Sequence, residues 1–569
     1  MRLAFLLPAA ALLALAGPAT TAPTIDRGTA AAVGKGIVSA ADPRAAEAGA
    51  EMLRQGGSAV DAAFATLLAL NVVEPQSSGI GGGGYLVYAP RGGAAVTFDG
   101  RETAPHAATP TWFYKDGQPL DHEEAIPGGK SVGVPGNLRM MALAHERYGK
   151  LPWAALFQPA IRLARDGFRI TPRLYGMLKG HADTGAFSAG GRALFYGTDG
   201  NPLPVGTLVK NPAFAAFLES VAARGPDSFY VGPNAQAIVA AVNGAPRNPS
   251  QMTAGDIATY EAKPRAPVCG TYRGYRICGM GPSSSGGTTV FETLKQLERF
   301  NLSALGPSSP KAWHLIAESM RLAYADRELY LADPDYVSVP VAGLMSPAYL
   351  ARRSALISPD RTMASVVAGA PAGAPRLACA AAPAPERGTS HFVAVDSAGN
   401  VASETSTIES VFGSGLTVNG YYLNNELTDF NIVPDKDGCP TANRVEGGKR
   451  PRSSMSPTIV YGPDGKVRLA VGAAGGATIP AQVLKAIIGV VDWRLSAQQA
   501  IALPVIYAPG DTVYVEKGSY LEAMIPQLQA LGQTVQARPP GFKANAIEWV
   551  KGRWVGAADP RSEGAAVSQ

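Results

Sequence analysis

Gly388-Thr389-Ser390-His391-Phe392-Val393-Ala394-Val395-Asp396 is the stretch on which the fold turns. Before it, residues 368–387 read AGAPAGAPRLACAAAPAPER, a low-complexity Ala/Pro-rich segment with no strand or helix period. At Thr389 a strand-like run begins at once. A hydroxyl residue that opens a strand directly after a cleavable segment is what an enzyme needs if its nucleophile is also its N-terminus. Scission before Thr389 would give one residue a nucleophilic Oγ1 and a free α-amine to act as its base. An α-amine titrates near about 8, against about 10.4 for lysine, so a useful fraction is neutral at neutral pH. Taken alone, the segment also reads as an interdomain linker followed by an edge strand.

On either side of the join the patterning differs. Asp42 to Leu70 reads as two helices broken at Gly56-Gly57, the second, from about Ala59, apolar nearly all round and so buried. Pro75 to Gly84 is a loop whose glycines suit close backbone packing, and strands are expected at 85–88 and 96–99. Helical character dominates from about Asn137 to Phe300, and Pro310 to Leu331 reads as an amphipathic helix. After Thr389 period-2 runs take over at 389–395, 401–408, 417–423, 456–461 and 467–471, with helices near 479–491 and 520–531. Strands and helices in separate blocks favour stacked layers around a pair of sheets over a doubly wound parallel sheet.

The chain has 569 residues, a formal charge of +5 and only 17% charged residues, with no basic run and no nucleic-acid recognition motif. Met1-Arg2 followed by an apolar run from Leu3 to Ala16 reads as a secretory leader ending after Ala16 or Ala22, with a retained signal anchor as the alternative. No later run is long enough for a membrane span, so no stable membrane anchor is expected and the product is placed in the periplasm or outside the cell. An exported chain permits disulfides. Cys269 and Cys278 flank a short hairpin candidate, and Cys379 and Cys439 lie on opposite sides of the join; connectivity stays open, four free thiols included. Scattered histidines and the lack of a Cys-x-x-Cys give no expectation of a metal or other cofactor.

Some motifs tempt and fail. Gly129-Lys130-Ser131-Val132-Gly133 matches a nucleophile-elbow pattern, but prolines at 127 and 135 exclude the strand and helix that it needs. Four others fit Thr389. Gly475-Gly476, after a strand, can present backbone N–H groups to an oxyanion. Arg452-Ser453-Ser454 is a hydroxyl cluster before a strand, Glu426 and Asp429 offer acids, and Arg101 ends a strand. An α-amino acid substrate would use the arginine and hydroxyls for its carboxylate and the acids for its ammonium.

These features, with 53–63 (LRQGGSAVDAA), 79–84 (GIGGGG), 101–105 (RETAP), 163–168 (LARDGF), 388–392 (GTSHF), 424–430 (NNELTDF), 450–457 (RPRSSMSP) and 559–561 (DPR), make the chain closely resemble the γ-glutamyltranspeptidases over nearly its whole length. The resemblance implies an α+β, four-layer αββα N-terminal nucleophile hydrolase sandwich, formed jointly by a large subunit (23–388, ending in the Ala/Pro-rich 368–388) and a small one (389–569), a heterodimer cut from one precursor at Gly388–Thr389. It implies Thr389 as nucleophile, Thr407 as its hydrogen-bond support, and Gly475 and Gly476 as the oxyanion hole. Arg101, Ser453 and Ser454 would hold the γ-glutamyl α-carboxylate, and Glu426 and Asp429 the α-ammonium. Glutathione-like γ-glutamyl compounds would be donors, with water, amino acids or peptides as acceptors. Three positions depart from the pattern. Glu409 stands where many members carry Asn and adds a third acid to the donor pocket. Ala474 precedes the glycine pair where Pro is usual. The stretch 431–449, matching the lid of lidded members, has no aromatic residue. A same-scaffold acylase on glutaryl-type amides would keep Thr389 and the glycine pair yet lose the amino-acid contacts, and an inert exported binding protein would tolerate loss of either.

Overall fold

The computed structural model describes residues 33–376, 379–380, 388–541 and 543–569. The expected leader at 1–22, and residues 377–378 and 381–387 of the Ala/Pro-rich segment, lie outside the described residues.

Two seven-stranded sheets face each other. The first runs Ala565–Ser568, Ile37–Ala40, Ser390–Val395, Val401–Thr407, Gly83–Ala89, Val96–Asp99, Lys263–Arg265 in spatial order. The second runs Val33–Gly34, Arg553–Ala558, Lys543–Val550, Val467–Ala474, Thr458–Tyr461, Tyr275–Gly279, Val268–Tyr272. Helices Pro43–Arg54 and Ala59–Val73 cover the outer face of the first sheet, and Gly286–Leu297, Pro310–Tyr330 and Ile479–Val491 cover the second. The α+β layering expected from the block pattern is therefore what forms.

The strand after Thr389 is not an edge. It pairs antiparallel with Val401–Thr407 on one side (His391 opposite Thr405) and with Ile37–Ala40 on the other (Val393 opposite Ser39). Its period-2 pattern serves two cores, because Val393 and Val395 face the other sheet while Phe392 and Ala394 face the helices. The hairpin turn is closed by Asp396, whose carboxylate accepts from the Asn400 backbone N–H at 3.0 Å. The helix Ala59–Val73, buried at every position, starts from a reciprocal cap between Ser58 and Asp61. Glycines pack the loop 79–84 as expected: a Cβ on Gly82 would lie 2.0 Å from the Thr407 carbonyl oxygen.

Other expectations shift. The run 417–423 is a two-strand ribbon, Thr417–Val418 and Tyr421–Tyr422, because Asn419 and Gly420 both take positive φ (47° and 83°) and reverse the chain. The helix expected at 520–531 is two short ones, Tyr520–Ala523 and Ile525–Ala530, divided before Pro526. Ser131 donates to the Ile126 and Gly128 carbonyls, a structural role in keeping with its rejected motif. Cys269 pairs with Cys278 directly across the hairpin, and Cys379 pairs with Cys439 across the join. Among the described residues no helix is long and apolar enough to cross a membrane.

Candidate active site

Thr389 lies at the meeting point of the two sheets, 5% exposed, with the chain continuous through Gly388. Its φ is +92°, a region that a β-branched residue avoids, so the backbone at this peptide is strained. The surroundings over-determine that conformation. The Thr389 N–H donates to the Ser77 carbonyl (3.2 Å), which also accepts from Ile408 N–H (3.3 Å). Gly388 permits the approach, since a Cβ there would sit 1.7 Å from the Glu409 carbonyl oxygen. Thr389 Oγ1 donates to Thr407 Oγ1 at 3.1 Å, and that oxygen in turn accepts from Glu409 N–H at 2.7 Å.

One side of Thr389 opens on a small pocket lined by Arg101, Thr407, Glu409, Glu426, Asp429, Ser453, Met455, Gly476 and Ile479. Arg101 is wholly buried and forms ion pairs with Glu426 and Asp429. Its Nε donates to the Pro451 carbonyl (3.1 Å) and an Nη to the Arg452 carbonyl (2.9 Å), which fixes the loop that carries Ser453. Glu409, at φ +71°, accepts from the Ser410 hydroxyl and from the Asn425 amide. Ser454 turns elsewhere: its Oγ accepts from Arg327 at 2.6 Å, and it is not among the pocket's lining residues. Gly475 (φ +126°) and Gly476 (φ +57°) straddle the nucleophile, Gly476 facing this pocket and Gly475 the cavity on the opposite side.

Charge in the pocket is unbalanced. Glu426 Oε2 and both oxygens of Glu102, 3.9 Å behind Arg101, are buried without a hydrogen-bond donor. Burial raises the Glu426 carboxyl well above its ordinary range, with neighbouring acids adding to the pull of burial and Arg101 opposing it. Burial likewise pushes Glu102 up to about 7. A ligand ammonium would answer this excess. Glu102 also predicts a stability profile. The unfolded carboxyl titrates near about 4.3, so the stability it contributes is full below that pH and is lost as pH rises through about 7. Calorimetry of Glu102→Gln is therefore expected to move in the variant's favour relative to wild type by on the order of 1–3 kcal/mol between pH 4.5 and pH 8. A difference flat with pH would mean that Glu102 stays ionised throughout.

The structure thus gathers Arg101, Thr389, Thr407, Glu409, Glu426, Asp429, Ser453 and Gly476 around one pocket. Sequence reading missed the Ser77 carbonyl, which no side-chain pattern reveals, and Met455 and Ile479, which look like ordinary core.

A family model described as gamma-glutamyltranspeptidase matches residues 45–569. The chain is 36% identical over 549 residues to the glutathione hydrolase proenzyme of Bacillus subtilis, covering 94% of this chain and 92% of the relative. It is 34% identical over 553 residues to the glutathione hydrolase proenzyme of Escherichia coli, covering 93% and 90%. Among solved structures, the cephalosporin acylase from Bacillus halodurans superposes with a TM-score of 0.84 at 26% identity, covering 97% of this chain and 99% of that one.

Proposed function

Given that this chain belongs to the γ-glutamyltranspeptidase family, we propose that it is an exported, self-cleaving γ-glutamyltransferase and glutathione hydrolase with Thr389 as its nucleophile. The observation that carries this reading is the placing of Thr389 on a buried pocket of one arginine and three acids that Gly476 also lines, with Gly475 on the cavity at its other side.

Self-cleavage begins when Thr389 Oγ1 attacks the Gly388 carbonyl carbon. The C–N bond breaks, the nitrogen takes the proton and becomes the Thr389 α-amine, and water hydrolyses the resulting ester to leave a Gly388 carboxylate. Strain at Thr389 is relieved in that step. In catalysis the α-amine accepts the Oγ1 proton as Oγ1 attacks the γ-amide carbonyl of a donor. Gly475 and Gly476 N–H groups stabilise the tetrahedral oxyanion, each such donor contributing about 2.7–4 kcal/mol. The protonated amine then gives its proton to the departing nitrogen, leaving a γ-glutamyl-Thr389 ester. Water or an acceptor amine attacks that ester and restores Thr389. Thr407 orients Oγ1, Arg101 and Ser453 meet the α-carboxylate, and Glu409, Glu426 and Asp429 meet the α-ammonium. Ser454 acts through the loop that it anchors to Arg327. Residues 23–388 and 389–569 stay associated as large and small subunits, in the periplasm or outside the cell.

The likeness to an acylase favours a second reading, a glutaryl-type amidase on the same scaffold. A glutaryl group lacks the α-ammonium and would leave buried acids unanswered. Because the Cys379–Cys439 disulfide bridges the join, purified protein is expected to separate into two fragments, with Thr389 at the new N-terminus, on a reducing denaturing gel, and to hydrolyse γ-glutamyl-p-nitroanilide with a kcat/KM on the order of 10²-fold above glutaryl-p-nitroanilide. A preference for the glutaryl compound would select the acylase reading.

A further inference from the structure

The glycine-pair loop and the loop that carries Ser453 are both held by one helix. Gly475 and Gly476 take positive φ (126° and 57°), and no proline stiffens the segment 474–478. Glycine leaves a backbone wide freedom, yet N–H groups serve an oxyanion only when set about 2.7–3.1 Å from it. This loop is fixed through its carbonyls. The Ala474 carbonyl accepts from Gln482 Nε2 (2.7 Å) and the Gly475 carbonyl from Thr478 Oγ1 (2.8 Å), both within the same stretch of chain. The Ala477 carbonyl accepts from the Tyr324 hydroxyl at 2.6 Å, and Tyr324 lies on the helix Pro310–Tyr330, 153 positions away. Tyr324 is buried, set edge-on against Tyr507 with ring centroids 5.4 Å apart. Three residues on, and so on the same face of that helix, stands Arg327. It donates to Ser454 Oγ (2.6 Å) and Ser285 Oγ (2.8 Å), and its Cζ lies 5.8 Å from the centroid of the Tyr324 ring. Glu328, next in sequence, accepts from Arg452 at 2.5 Å, so the helix end grips the 452–454 loop on both sides of Ser453.

We propose that Tyr324 is a positioning residue for the oxyanion hole and that, with Arg327, it makes this helix the frame that sets the oxyanion loop and the donor-carboxylate loop at a fixed separation. The Tyr324 part rests on the acyl-transfer mechanism above, and the Arg327 part on its γ-glutamyl donor as well. Neither side chain lines the cavities on the two sides of Thr389, so each acts through the loop that it holds. The two contacts have different kinetic signatures. Losing the Tyr324 hydroxyl loosens N–H groups whose work is done on the tetrahedral state, so kcat falls while KM holds. Losing the Arg327 grip on Ser454 lets Ser453 move away from the donor α-carboxylate in ground state and transition state alike, so KM rises while kcat holds.

The test is the kinetics of Tyr324→Phe and Arg327→Lys on γ-glutamyl-p-nitroanilide, after a reducing gel has shown that each splits. Self-cleavage is a single turnover, so a slower step still runs to completion. Tyr324→Phe is expected to lower kcat roughly tenfold with KM within about twofold of wild type. It should weaken, by the same factor, a glutamate analogue with a boronic acid at the γ position, which forms a tetrahedral adduct with a hydroxyl nucleophile, and leave inhibition by glutamate itself unchanged. Arg327→Lys is expected to raise KM roughly tenfold at nearly constant kcat. A merely structural role would move kcat and KM together and weaken boronate and glutamate alike, and that result would overturn the proposal. So would an unchanged kcat in Tyr324→Phe, an unchanged KM in Arg327→Lys, or a Tyr324→Phe chain that never splits. If wild type splits and prefers glutaryl-p-nitroanilide, the γ-glutamyl reading falls and the Arg327 part with it, while the kcat loss of Tyr324→Phe is read on the glutaryl donor. Wild type that splits yet hydrolyses neither anilide would overturn the acyl-transfer mechanism and the whole proposal with it.

Discussion

Thr389→Ala is expected to leave the chain whole and to lower γ-glutamyl-p-nitroanilide hydrolysis by on the order of 10⁴-fold or more. Alanine removes Oγ1, so no bond to the Gly388 carbonyl can form and no α-amine is released. Both halves of the nucleophile are lost with one oxygen atom. Folding should survive, because Thr389 contributes one side-chain hydrogen bond, to Thr407, and a backbone held at φ +92°. Exchanging a β-branched residue for alanine there eases crowding, so the thermal midpoint should hold or rise slightly. Thr389→Ser keeps the oxygen and should still split, with reduced activity. A reducing denaturing gel, N-terminal sequencing and a thermal melt read all three outcomes. Splitting of the alanine variant at the same bond would remove Thr389 from the centre of the mechanism.

Arg101→Met should separate substrate binding from self-cleavage. The guanidinium lies in the donor pocket, away from the Gly388 peptide, so the variant should still cut itself. Donor KM should rise on the order of 10²-fold, since a charged, hydrogen-bonded contact to the α-carboxylate is lost. Stability should fall as well. Glu426 and Asp429 would lose their cation while buried, a class of change that costs about 3–5 kcal/mol. The loss has a definite pH sense. Burial already raises Glu426, so without Arg101 it binds its proton at still higher pH, and the penalty should shrink as pH falls and the pocket neutralises. Urea midpoints at pH 5.5 and pH 8 measure this. An unchanged KM would dissociate Arg101 from donor recognition.

Much of this was legible in the sequence, for reasons particular residues make plain. Thr389 stood out because a compositional break and a strand start coincide there. The two helices read between Asp42 and Leu70 announced themselves through the Gly56-Gly57 break and the nearly all-round apolar run from about Ala59. The layered fold followed from blocks of unlike period. The strands Lys543–Val550 and Arg553–Ala558 did not register, although they occupy the second sheet's interior. Asn545, Glu548 and Lys551 interrupt the apolar pattern, and the turn between them is built on Lys551-Gly552, at φ 48° and 86°, without the Asn or Asp that usually signals it. At the site, residue types were readable and directions were not. Ser453 and Ser454 are adjacent hydroxyls, yet only the first lines the pocket, because the buried Arg327 claims the second. Such a choice is made by a residue more than a hundred positions away and leaves no trace in local spacing.

The order of strands in the first sheet fixes a chronology. Ile37–Ala40 lies between the C-terminal strand Ala565–Ser568 and the strand that follows Thr389, and Gly83–Ala89 lies against Val401–Thr407. Neither portion of the chain, before or after residue 388, owns a complete sheet. Each would meet water with bare strand edges if made alone, the situation that leads proteins to aggregate. Synthesis as one polypeptide is therefore more than a convenience of the gene. The covalent bond at Gly388–Thr389 works as an assembly jig, holding two interleaved halves at high effective concentration until the sheet has closed, and it becomes dispensable only once that work is done.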